Sequence, residues 1–147
     1  MSYTPSVREQ VVQGVFELVK AALPFAEVER NRDKPKAPSA GGDVVVRDGV
    51  PDDPEWDLSP PIANYSHLIP IEVLGYVSER LTPEQTLDEM LQQIGRAVAA
   101  DRTLGGRCEY LELVAPDAAW TTAEGARSLR NADAAILALY RTANPLT

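Results

Sequence analysis

Two periodicities run through this chain. Over residues 6–22, Val7, Val11, Val15, Leu18, Val19 and Ala22 recur at spacings of three and four, which predicts a helix with one apolar stripe. Glu9, Gln10, Gln13, Glu17 and Lys20 supply its wet side, and Pro24 stops it, because proline has no amide hydrogen and crowds the preceding turn. A second helix is announced by Thr82-Pro83-Glu84-Gln85: Thr as cap, Pro at the first helical position, and Gln three residues after the cap. Leu87, Met90, Leu91, Ile94, Ala97 and Val98 continue it as a stripe to about residue 100, and the glycines at 105 and 106 lie in the break that follows.

The other periodicity is two. In 61–77, Tyr65, His67, Ile69, Ile71, Val73 and Gly75 share one strand face, and Asn64, Ser66, Leu68, Pro70, Glu72 and Leu74 the other. Pro70 cannot donate to a ladder, so the pattern predicts either one long bent strand or two strands meeting there. Short strands are expected at 25–30, at 43–48 with its three valines, and at 108–114. Residues 131–142 have the alanines and leucines of a helix but also alternate. They are assigned to a strand because the sheet needs a partner there. The expected fold is α+β: a mixed, mainly antiparallel sheet covered by two helices, in the order α-β-β-β-α-β-β. It forms a single domain over 1–147, with long loops at 31–42, 49–61 and 115–130.

Charge changes the picture in two loops. Arg30, Arg32, Lys34 and Lys36 face only Asp33, a basic run that reads as a contact arm for an acidic partner or as an ordinary solvated loop. Asp43, Asp48, Asp52, Asp53, Glu55 and Asp57 face only Arg47. Pairing of the two segments between neighbouring copies would steer assembly, so Arg32, Lys34, Lys36, Asp52, Asp53 and Glu55 are candidate interface residues. Trp56 and Trp120 join them as aromatic anchors; for Trp56, folding back onto its own core is the competing reading.

The chemistry of an enzyme is sparse. His67 is the single histidine, placed on an apolar strand face, where a satisfied, half-buried imidazole is the ordinary outcome. Cys108 is the single cysteine; it excludes an intrachain disulfide and a zinc framework, and on a strand it reads as a small core residue. A thiol–imidazole pair of the two has no support from spacing. There is no phosphate loop, dinucleotide glycine pattern or nucleophile elbow. Asp53, Glu55, Asp57 and Ser59 mimic alternate calcium ligands, but Leu58 and Asn64 stand where the turn glycine and the bidentate glutamate belong. No catalytic residue, cofactor or metal is therefore expected. The net charge of −8 opposes nonspecific binding of nucleic acid, and no apolar run approaches the roughly 20 residues that span a bilayer. No signal peptide is visible, and an intracellular protein is expected.

Five stretches together resemble the tail terminator (minor tail protein U-like) family of long-tailed phages and phage-derived gene transfer particles. They are the first helix running into ALPFAEVERNRDKP, the GGDVVVRDG strand, LSPP before NYSHLIPIEV, AVAADRTLGGRCEYLEL, and AEGA followed by NADAAILALYRT. The resemblance covers nearly the whole chain. It implies a virion or particle protein, assembled in the bacterial cytoplasm, that forms a hexameric ring on the last ring of tail-tube protein. Such a ring stops tube polymerisation and offers a surface to the neck or connector protein. DNA only passes through the channel, no membrane is involved, and no catalysis is implied. Neck, head–tail connector and tail-completion proteins are the alternative within the same class. A small acyl-transferring enzyme using Cys108 or His67 is the alternative from another.

Overall fold

The computed structural model describes residues 2–34, 36–122 and 128–147, with the side chains of 118–122 and 128 outside that description. Its elements are α1 (Val7–Ala22), β1 (Glu27–Arg30), β2 (Asp43–Val46), β3 (Glu55–Leu58), β4 (Pro61–Leu74), α2 (Pro83–Ala100), a 3-10 turn (Leu104–Gly106), β5 (Tyr110–Thr122) and β6 (Ser128–Thr142). The strands form one sheet in the order β1-β2-β4-β6-β5, with β3 added beside β4. Only β1 and β2 run parallel; every other pairing is antiparallel. The α+β fold and the placing of 131–142 in a strand are as the sequence predicts.

Both helices begin where their caps direct. The Ser6 hydroxyl accepts from the Glu9 amide at 3.2 Å. Thr82 and Gln85 form a reciprocal capping box, each side chain accepting from the other's backbone amide. The helices lie on one face of the sheet. Val11, Val15 and Val19 of α1 and Leu87, Met90, Ile94 and Val98 of α2 meet Ile69, Ile71 and Val73 of β4 and Ile136 of β6 in one core. Each such side chain contributes about 1.5–3 kcal/mol on burial. Gly14 lets α1 approach the turn after α2: a Cβ there would stand 3.1 Å from Leu104 and from the Arg107 guanidinium.

The structure resolves the Pro70 question in favour of one strand. β2 pairs with β4 only as far as Val46 opposite Ile71, so at Pro70 that edge of β4 is no longer occupied by a strand. The missing donor interrupts no ladder there, and the Pro70 carbonyl accepts from the Arg47 amide at 2.9 Å.

Two loop expectations are corrected. The 49–61 segment carries β3, which pairs antiparallel with β4 from Glu55 opposite Asn64 to Leu58 opposite Pro61. Most of 115–130 is strand: β5 runs on to Thr122 and β6 starts at Ser128. A register shift between Val114 and Asp117 admits Pro116 at the outer edge of the sheet, where its missing amide hydrogen costs no pairing.

Candidate interaction surface

The helices cover one face of the sheet and no described element covers the middle of the other. Register places three rows of side chains side by side across β4, β6 and β5: Ser66–Leu139–Tyr110, Leu68–Leu137–Glu112 and Pro70–Ala135–Val114. Outward positions of an antiparallel sheet with one wet face are ordinarily polar. Here most are apolar, and Leu68, Tyr110 and Val114 are 45%, 42% and 42% exposed. The guanidinium of Arg102 lies over the Tyr110 ring, 5.2 Å from its centroid.

Carboxylates bracket this strip. On one side the next row is Glu72–Asp133–Asp117, with Glu72 accepting from Arg47 at 2.7 Å. On the other side, Arg141 reaches Asp57 of β3 at 2.9 Å and Glu109 at 3.5 Å, an ion chain that crosses β4 over Asn64. Asp52, Asp53 and Glu55 join Glu109 and Arg141 around a concavity of about 320 Å³. The sequence-predicted acidic residues are thus brought together. Trp56, opposite Ala63, alternates to the other side of β3 from Glu55 and Asp57 and stays 46% exposed. The side chain of Trp120 lies outside the described residues.

The basic segment is engaged within its own subunit. Arg30 is gripped bidentately by Glu9, at 2.6 and 2.8 Å, and by Asp48, at 2.7 and 3.1 Å. The hydrogen bonds from Arg30 hold the carboxyls of Glu9 and Asp48 below their ordinary range, and the guanidinium is raised in return. Arg32 stands near Glu29 and Asp43, at 3.6 and 3.9 Å. Lys36 contacts Glu27, Glu29 and Asp43. Lys34 is exposed.

His67 is buried, and both ring nitrogens have partners: Nδ1 with the Tyr140 hydroxyl at 2.8 Å, and Nε2 with the Asp48 carbonyl at 2.7 Å. A carbonyl only accepts, so Nε2 carries the proton and Nδ1 accepts from Tyr140. Burial pushes the imidazole below its ordinary 6.5 and the Tyr140 phenol up to about 12. His67 therefore fastens the chain after β2 onto β4, and it leaves no nitrogen to activate Cys108. That thiol is buried, 3.8 Å from the Arg102 carbonyl, and burial raises it to about 11, opposite to the direction a nucleophile needs. Among the described residues no group of three His, Cys, Asp or Glu converges as a metal site, and no helix is long and apolar enough to cross a membrane.

The apolar strip is what sequence reasoning missed. Its signal was present: the outward set of 131–142 contains Ala135, Leu137 and Leu139, so that strand is apolar on both faces.

No protein-family model matches the chain, and no curated protein matches it. Among solved structures, it is similar to a chain from the virion of a native gene transfer agent (GTA) particle. The identity is 15%, over 95% of this chain and 100% of that one, with a TM-score of 0.46.

Proposed function

We propose that this chain is a structural subunit of a phage-like particle, and specifically a tail terminator: a ring that caps the tail tube, stops its polymerisation and presents a surface for head–tail joining. The observation that carries the reading is the bare, apolar middle of the outer sheet face. Exposed apolar strips with polar rims mark surfaces that other proteins cover. The sequence resemblance supplies the kind of assembly. The α+β layout agrees with what that resemblance implies, and the one histidine and one cysteine are engaged as structural groups. The ring would be hexameric, with the tail-tube protein on one side and the neck or connector protein on the other.

Deletion of the chain from a particle-producing strain, followed by electron microscopy, tests this. Tubes of uncontrolled length that fail to join capsids are expected. Tails of normal length beside unjoined capsids would point to a connector or tail-completion role instead. Normal-length tails on filled capsids would overturn both.

A further inference from the structure

We infer that the outer sheet face docks a different protein of the particle, one whose contact surface has an apolar centre and a rim of lysines or arginines, rather than a second copy of this chain. The inference rests on the reading of the chain as a particle subunit and adds the surface and the chemistry of its partner.

The apolar centre follows from the register. Leu68 and Leu137 lie side by side on β4 and β6, with Tyr110 and Val114 flanking them on β5. The rim is anionic. Glu112 sits at the edge of the central row, Glu72, Asp133 and Asp117 form the row on one side, and Glu109 closes the other. Arg47 and Arg141 lie among them, each already bonded to carboxylates, and Arg102 lies over the Tyr110 ring; Glu72, Glu109, Glu112, Asp117 and Asp133 outnumber these cations, so negative charge remains in excess. An interface of this anatomy selects a partner of opposite rim charge, which also accelerates encounter.

A second copy is a poor occupant on the same grounds. Two such faces together would bring carboxylate rows against each other in a chain that already carries a net charge of −8. The basic segment that would otherwise complement it is bound at home, Arg30 to Glu9 and Asp48, and Lys36 and Arg32 to the carboxylates around Asp43.

Intact particles and the purified chain are compared by carbene footprinting and by carbodiimide coupling, which joins carboxylates to lysine amines. Labelling of Leu68, Tyr110 and Val114 is expected to fall about five-fold or more in particles, since the centre of an interface excludes solvent. Carboxylates at 112, 117 or 133 are expected to couple to lysines of another protein. Incorporation of a Glu112→Lys, Asp133→Lys double variant is expected to drop about ten-fold with an unchanged melting temperature, because like charges then face each other. A chain present in particles but labelled there as fast as when free would overturn the docking surface and leave the structural role standing. Coupling of these carboxylates to Lys20 or Lys34 of a second copy, or protection of the strip in the purified chain alone, would overturn the choice of partner. Absence of the chain from the particles would overturn the proposed function and this inference together.

Discussion

The hydroxyl of Tyr140 donates to Nδ1 of His67 across 2.8 Å, joining β6 to β4 inside the core. The other imidazole nitrogen holds the Asp48 carbonyl, whose own side chain grips Arg30. One polar chain, buried at His67 and Tyr140 and reaching the surface at Asp48, thus ties the loop after β2, the first strand and the last strand together. Tyr140→Phe leaves Nδ1 buried without its donor. A loss of about 1–3 kcal/mol in chemical denaturation is expected, with particle assembly preserved at permissive temperature. An unchanged denaturation midpoint would show that the bond contributes nothing net.

The same chain predicts the response to acid. Burial lowers the folded-state pKa of His67 below 6.5, so the unfolded chain takes up the proton more readily. The stability associated with neutral His67 is complete above 6.5 and is lost as pH falls from there through the depressed folded value. Glu9 and Asp48, lowered by Arg30 from ordinary values of 4.5 and 3.8, contribute a further loss at lower pH, as pH falls through their folded-state values. Denaturation midpoints measured across this range should fall in two stages. His67→Gln should remove the first stage and Arg30→Gln the second; a single stage unaffected by His67→Gln would contradict the assignment.

Reversing the basic segment should separate folding from assembly. Arg32→Glu or Lys36→Glu places a carboxylate beside Glu29 and Asp43, and a lowered melting temperature of the isolated chain is expected for each. Lys34→Glu changes an exposed side chain and should leave melting within about 0.5 kcal/mol of the original. If Lys34→Glu alone weakens the proposed self-association in sedimentation, the segment contacts a neighbour. If all three reversals leave melting untouched, the internal ion pairs are not what holds 31–42 in place.

Gly41 marks a close approach. A Cβ at this position would lie 1.8 Å from the Phe25 carbonyl oxygen and 2.7 Å from its carbon, both backbone atoms that cannot swing away. Gly41→Ala should therefore cost at least about 2 kcal/mol by displacing the entry to β1. Thermal melting of the variant checks it, and a melting point equal to that of the original chain would mean the backbone yields there at little cost.

Cys108 should behave as a core thiol. With burial raising it to about 11, alkylation by iodoacetamide at pH 8 should be at least about 100-fold slower than for a free thiol, and should become fast in denaturant. Under the proposed function, Cys108→Ser should still support particle assembly. Rapid alkylation in the folded chain would revive a nucleophilic role.

The sequence by itself determined the two helices, the cap of the second and the α+β class. Those features rest on interactions within a few residues: the Thr82–Gln85 box, the stop at Pro24 and the stripe that includes Val11, Val15 and Val19. It also determined the inward face of β4, because alternation depends only on the pleat. Tertiary structure decided the rest. Pro70 is harmless only because β2 ends opposite Ile71, a fact of register between distant segments. The strand in 49–61 exists because Glu55–Leu58 finds the open edge of β4 beside Ala63 and Asn64. The basic run reads as a free arm in sequence, yet Arg30 finds Glu9 and Asp48, which lie 21 and 18 residues away. The doubly apolar pattern of 131–142 left helix and strand in balance locally. Pairing to both β4 and β5 settled it, and with one face turned to the helices, Leu137 was left facing outward beside Leu68.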